Sequence, residues 1–185
     1  MSMVYVLDLL DDRFRSPEEL QEQLGAPVLA MVRRFSPLAE SGKDAIHTHA
    51  DPEAVECEAL RTLRAALAFT GQDLERLAIT SSEPGDGKTT VISNLSVAYA
   101  QAGKRTLVID ADLRKPGLTK LLDLRQSDGL STLLRGDDDI AEAAPAMIVE
   151  PGIDNLYVIP SGPRPSDPAE LLSSSRMQEF VAWCE

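Results

Sequence analysis

The stretch SSEPGDGKTT, residues 81–90, ends in Gly-Lys-Thr, residue types that suit a chain of phosphates. The chemistry of such a loop is mostly geometry: successive backbone N–H groups turn inward, and the following helix presents its positive end to the anion. Gly85 and Gly87 supply backbone freedom, Lys88 reaches the β- and γ-phosphates, and Thr89 offers a hydroxyl to magnesium, as the G-x-x-x-x-G-K-[ST] spacing requires. Glu83, Pro84, Asp86 and Thr90 complete the expected contact with a nucleotide's phosphates. Ser82 stands where that pattern has its first glycine; being small, it costs some conformational freedom without blocking the loop. A second group, Asp110 and Asp112, closes the apolar run LVIDAD. Alternation along a strand places both carboxylates on one face, at the carboxyl end where α/β sheets bind ligands. There they can hold Mg2+ through its waters and polarise an incoming nucleophile. Lys88, Asp110 and Asp112 are therefore the candidate catalytic residues, and Thr89, Asp110 and Asp112 the candidate metal ligands. The alternative is an exposed strand end that is merely rich in aspartate.

These groups need a strand before the loop and a helix after it, and the pattern supplies both. RLAIT, residues 76–80, reads as a strand, and KTTVISNLSVAYAQAG repeats Val91, Leu95, Ala98 and Tyr99 at helical spacing until Gly103. RTLVI and NLYVIPSG read as further strands, with short helices LTKLLDL and GLSTLLRG and a solvated acidic turn, DDDI, between them. Asp167, Pro168 and Glu170 mark the start of a last helical region, whose buried face carries Met177, Phe180 and Val181. Strands alternating with helices predict an α/β fold with a mostly parallel sheet and flanking helices. Upstream, SPEELQEQLG reads as a helix capped by Ser16 and closed by Gly25, and APVLAMV as a short strand. Residues 34–51 read as a polar linker in which His47 and His49 sit on a solvated loop. DPEAVECEALRTLRAALAFTG then reads as a helix capped by Asp51 and ended by Gly71. Its buried stripe is Val55, Ala59, Leu63, Ala66 and Leu67, with Glu58, Arg61 and Arg64 on the opposite side. Residues 1–50 are thus expected to be an extension and linker, and residues 51–185 the main domain.

Composition narrows the function classes. With 185 residues, 43% hydrophobic and 26% charged, the chain suits one domain plus an extension. A formal charge of −12 repels phosphate backbones, so nucleic acid is not an expected partner. The only cysteines, Cys57 and Cys184, form no metal-spaced pair and point to ordinary packing in a reducing compartment. No segment reaches the roughly 18 apolar residues that span a bilayer, and a cytoplasmic location is expected.

Taken together, TSSEPGDGKTT and LVIDADLRKP resemble the Walker A and Walker A′ motifs of the bacterial tyrosine kinases, the cytoplasmic half of polysaccharide co-polymerases. EALRTLR fits that family's E-x2-R-x2-R motif, and GLSTLLRG and IPSGPRPSDPAELLSS are similar to its later segments. The resemblance runs over most of the chain from Glu56 onward, and LDDRFRSPEELQEQLGAPVLAMV is similar to the juxtamembrane stretch of the single-chain versions. It implies a P-loop NTPase fold and an ATP- and Mg2+-dependent kinase that phosphorylates tyrosines of its own tail in trans. It further implies a homo-oligomeric ring at the inner face of the plasma membrane, working with a co-polymerase membrane segment in capsular or extracellular polysaccharide export. Lys88 and Thr89 carry over as phosphate and magnesium ligands, Asp110 and Asp112 as the Walker A′ acids, and Glu58, Arg61 and Arg64 as an intersubunit contact.

The family's third acidic motif, Walker B, ends an apolar strand expected just after FVAWCE, where this chain stops; the tyrosine-rich tail is missing too. The expectation is a C-terminally incomplete fragment that phosphorylates poorly alone, with Tyr5, Tyr99 and Tyr157 scattered rather than clustered. Two alternatives stand beside the kinase. In a ParA/MinD-type switch ATPase a second lysine occupies the position where this chain has Glu83, which an acid cannot replace. A non-catalytic nucleotide-binding adaptor would bind magnesium-ATP without phosphotransfer.

Overall fold

The computed structural model describes residues 16–69, 75–125 and 127–184. Helix α1, Pro17–Leu24, begins as the sequence predicts: Ser16 Oγ accepts the Glu19 N–H at 3.2 Å, and Gly25 closes the helix in the left-handed region at φ 62°. A cap of this kind contributes about 1 kcal/mol. The strand expected at residues 26–32 does not form; no ladder partner lies beside it among the described residues, and Met31 is 71% exposed.

The linker reading of residues 34–51 is corrected at its C-terminal end. A 3-10 turn, Lys43–Ala45, leads into a short helix α2, His47–Ala50, and Ile46 and Thr48 are buried. Polarity misled the sequence reading, because Thr48 is polar yet satisfied inside: its N–H and hydroxyl both donate to Asn94 Oδ1, at 2.8 and 3.0 Å. His47 lies not on a solvated loop but against the Phe35 ring at 4.4 Å, and its Nε2 bonds the Ser36 carbonyl.

Helix α3, Val55–Ala68, starts later than expected, because Asp51 and Pro52 form a turn that closes α2 instead of capping α3. The buried face also differs from the one expected. Cys57, Leu60 and Leu67 are buried while Val55 is 72% exposed, so the expected stripe holds only in part, through Leu67 and the half-buried Ala59 and Leu63. Cys57 is a packed thiol whose pKa burial raises, as the packing reading requires. The expected C-terminal Gly71 lies outside the described residues.

Helix α4, Lys88–Gln101, is the central element, with Ser93 through Ala98 and Ala100 all buried. Small residues at Ser93, Ser96, Ala98 and Ala100 let α2, α3 and the sheet approach it from several sides. Strands β1, Thr106–Ile109, and β2, Leu156–Ile159, pair in parallel with Thr106 opposite Leu156 and Ile109 opposite Ile159. Between them run helices α5, Gly117–Leu121, α6, Leu130–Arg135, and α7, Ile140–Ala143. Asp139, expected in a solvated turn, caps α7 by accepting the Ala141 N–H at 2.7 Å. The final helical region is two helices, α8, Pro168–Leu172, and α9, Ser175–Trp183. Asp167 does not cap α8 with its side chain, which turns instead to Arg135 at 2.6 Å; Ser174 caps α9.

Alternation along the strands sends side chains to two layers. Val108, Leu156 and Val158 pack with Val97 and Ala100 of α4, Leu118 and Leu122 on one face. Leu107, Ile109 and Ile159 pack with Leu130, Leu133, Leu134, Ile140 and the fully buried Phe180 on the other. A parallel sheet with helices on both faces is the α/β architecture the sequence predicts. RLAIT does not pair as a strand: residues 75–80 have no ladder neighbour among the described residues. Ile79 still packs beside the Leu60, Leu67 and Leu95 cluster, so its apolar character serves the core without a ladder.

Candidate functional site

The loop 81–87 leads directly into α4, with Gly87 as its N-terminal flanking residue. Gly85 and Gly87 have φ of 100° and 94°, values that side chains disfavour, and open space lies where a Cβ would project from either. Ser82 Oγ and the Glu83 N–H both donate to Asp86 Oδ2, at 3.2 and 2.9 Å, which folds the loop on itself. Asp86 is thus a brace within the loop. The N–H groups of Gly85, Asp86, Gly87, Lys88, Thr89 and Thr90 have no acceptor among the described residues. An arc of unsatisfied donors at a helix N-terminus, over open glycines, suits a polyphosphate. Lys88 Nζ, from the end of the loop, donates to Ser81 Oγ at its start, at 2.9 Å.

The acidic pair lies at the end of β1, but its members differ. Asp110 is 6% exposed, and its Oδ2 accepts the Thr119 N–H at 2.8 Å and the Thr119 hydroxyl at 2.7 Å. Its Oδ1 accepts the Asp112 N–H at 3.2 Å. Burial raises its pKa, a shift that the Thr119 hydrogen bonds oppose. Asp112 is exposed, and its Oδ1 accepts only the Lys115 N–H at 2.9 Å. The expectation that alternation presents both carboxylates alike is corrected, since β1 ends at Ile109 and a turn follows, so strand periodicity does not reach Asp112.

Thr89 meets this second group through α5. A Cβ on Gly117 would fall 2.1 Å from Thr89 Oγ1, so the helix start lies directly on the threonine hydroxyl. A hydroxyl together with carboxylates is a hard-oxygen donor set of the kind Mg2+ prefers. Among the described residues, no group of three or more His, Cys, Asp or Glu side chains gathers as a metal site.

Of the remaining predicted residues, Glu58 and Arg61 pair at 2.9 Å on α3, and Arg61 also donates to the Pro52 carbonyl. Arg64 is not on the opposite side of the helix as expected; it is half-buried and donates to the Ala98 carbonyl of α4. At three- and four-residue spacing Arg64 shares the buried face of Cys57, Leu60 and Leu67. Sequence reasoning missed Ser81, Asn94, Gly117, Thr119 and Ser161. Asn94 links Thr48 to the Thr90 carbonyl, which its Nδ2 reaches at 2.8 Å, and so ties α2 to the first turn after the loop. The only sequence signal for it was an amide flanked by small and apolar residues, Ser93 and Leu95.

The CobQ/CobB/MinD/ParA nucleotide binding domain family matches residues 77–181. The chain is 40% identical to tyrosine-protein kinase YwqD of Bacillus subtilis (strain 168), over 71% of this chain and 54% of that protein. It is 34% identical to tyrosine-protein kinase wzc of Salmonella typhimurium, over 99% of this chain and 27% of that protein. The chain thus spans about half the length of the first relative and about a quarter of the second. In three dimensions it matches the kinase domain of Escherichia coli tyrosine kinase ETK with a TM-score of 0.78 and 32% identity, over 91% of this chain and 68% of that one. The phosphate loop, the acid-ended strand and these matches agree: the chain belongs to the CobQ/CobB/MinD/ParA nucleotide-binding domain family and, within it, to the bacterial tyrosine kinases.

Proposed function

We propose that the chain is the nucleotide-binding part of an ATP-dependent protein-tyrosine kinase of capsular or extracellular polysaccharide synthesis and export. The observation that carries this reading is the arc of unsatisfied N–H groups from Gly85 to Thr90 beside Lys88, within a chain of tyrosine-kinase relatives. Glu83, Pro84, Gly85, Asp86, Gly87 and Thr90 shape the phosphate cradle, and Lys88 neutralises the β- and γ-phosphates. Bound Mg2+-ATP supplies the transferable phosphoryl group; Thr89, Asp110 and Asp112 are the residues that would hold its metal. Asp110 spends its oxygens on Thr119 and Asp112, whereas Asp112 keeps an unbonded oxygen and an exposed position from which to accept the phenolic proton.

In this reading the kinase unit runs from residue 51, and residues 43–50 brace α4 through Thr48 and Asn94. Glu58 and Arg61, on the outer part of α3, contribute to contact between subunits of a ring, while Arg64 anchors α3 to α4 and sets the height of that surface. No helix among the described residues is long and apolar enough to cross a membrane. Attachment to the inner face of the plasma membrane is therefore assigned to a co-polymerase segment, in cis or as a partner.

The test is phosphotransfer from γ-labelled ATP with Mg2+ to an added tyrosine polymer, with Lys88→Met as the control. Label on tyrosine that disappears in the variant supports the kinase. Self-labelling at Tyr99 and Tyr157 is expected to be poor, since both are half-buried and the Arg105 guanidinium lies 5.6 Å from the Tyr157 ring centre. ATP hydrolysis with no phosphotyrosine on any acceptor would favour the switch ATPase instead.

A further inference from the structure

Helix α5 has only five residues, yet it touches both halves of the candidate site. Gly117 lies on Thr89 Oγ1, and two residues on, Thr119 grips Asp110. The direction of the Thr119 hydroxyl bond is fixed by its neighbours. Its oxygen accepts the Ser161 N–H at 2.9 Å, which leaves its own proton for Asp110 Oδ2 at 2.7 Å. All three residues are buried: Thr119 is 2%, Ser161 2% and Asp110 6% exposed.

We infer that Thr119 is a positioning residue, its hydroxyl holding the Asp110 carboxylate in the orientation that the magnesium-linked phosphate site requires. Two bonds on Oδ2 and one on Oδ1 leave the carboxylate no second rotamer without stranding a buried donor. The backbone N–H alone would suffice if Asp110 merely satisfied the open first turn of α5. The hydroxyl adds a second, charge-assisted bond and ties the carboxylate to the end of β2 through Ser161. The Ser161 segment is itself strapped to α6, where the Leu130 and Ser131 N–H groups donate to the carbonyls of Pro160 and Ser161. The orientation of Asp110 is thus referred to both strand ends. The inference rests on the nucleotide-binding reading proposed above.

The test compares ATP binding by the full chain with and without Mg2+, in Thr119→Val and Thr119→Ser. Valine keeps the shape and removes the donor, so magnesium-ATP affinity is expected to fall about tenfold or more while affinity in EDTA stays within about twofold. Serine restores the hydroxyl and is expected to stay within about threefold of the parent in both conditions. Added to Asp110→Asn, the valine should cost less than about twofold further, since both act on one carboxylate. A valine variant whose gain from Mg2+ equals the parent's, or one that weakens equally with and without Mg2+, overturns the inference. If the parent binds no ATP in either condition, the nucleotide reading falls, and the positioning claim is decided on the nucleotide-free protein. There the Thr119 and Asp112 amides, both donated to Asp110, should exchange with solvent faster in Thr119→Val and at the parent rate in Thr119→Ser. Unchanged exchange in the valine variant overturns the claim by that route.

Discussion

Gly117→Ala separates contact from backbone effects at the point where α5 meets the phosphate loop. The residue begins the helix, and its φ lies outside the left-handed region, so alanine incurs no backbone strain there. Alanine has higher helix propensity than glycine by about 0.8–1 kcal/mol in a helix interior, so without contacts the change would be neutral to stabilising. The added Cβ, however, would sit 2.1 Å from Thr89 Oγ1, 3.2 Å from its Cβ and 3.4 Å from its Cγ2. The first distance is impossible, and even the Thr89 rotamer that turns its Cβ hydrogen toward the new methyl leaves the 3.2 Å contact with the Thr89 Cβ. Overpacking of this kind costs about 1–3 kcal/mol. Urea denaturation of Gly117→Ala, Thr89→Ala and the double variant forms a cycle. Gly117→Ala should destabilise the parent by about 1–3 kcal/mol, and less than about 1 kcal/mol in the Thr89→Ala background, where only the 3.2 Å contact is left. An equal loss in both backgrounds would refute the contact between α5 and the threonine.

Asn94→Ala should cost about 2–3 kcal/mol in denaturant unfolding, because it strands the Thr48 N–H and hydroxyl, which are 0% exposed. A loss below about 0.5 kcal/mol would mean that α2 is not pinned to α4 through this amide. Asp110 has a raised pKa in the folded state, so the native protein holds its proton more tightly than the unfolded chain. Its stabilising contribution is full below the ordinary aspartate range and is lost as pH rises through the raised native value. Relative to Asp110→Asn, the parent should therefore lose stability across that window, by about 1.4 kcal/mol for each unit the pKa is raised. A gap between the two proteins that does not change with pH would contradict the burial of this carboxylate.

The phosphate loop was legible because its chemistry is local: glycines at fixed offsets, a lysine and a threonine opening a helix specify the geometry with no distant partner. The core strands β1 and β2 were legible for a similar reason, their apolar runs being short and bounded by turns. What was hidden depends on which elements meet. RLAIT and APVLAMV have strand composition, yet composition does not supply a neighbour to bond. Helix α3 was legible as a helix, but the stripe through Val55 read as its buried face, whereas the elements packed on it cover the side of Cys57, Leu60 and Leu67, which takes Arg64 inward and leaves Val55 out. Asp110 and Asp112 were seen as a pair, yet only the tertiary position of Thr119, in what read as an ordinary helical segment, makes one carboxylate fixed and the other free. Buried polar residues such as Thr48 and Asn94 escaped for the same reason, since their partners are far apart in sequence.

The most direct test of the central claim is calorimetric titration of ATP into the purified chain with Mg2+, beside Lys88→Ala. Removing the Lys88 ammonium, which donates to Ser81 Oγ at 2.9 Å at the start of the loop, should weaken binding by about 100-fold while the fold stays intact. Binding by the parent with that loss in the variant is the result the account predicts. No measurable ATP binding by the folded parent, or equal affinity in Lys88→Ala, would contradict it.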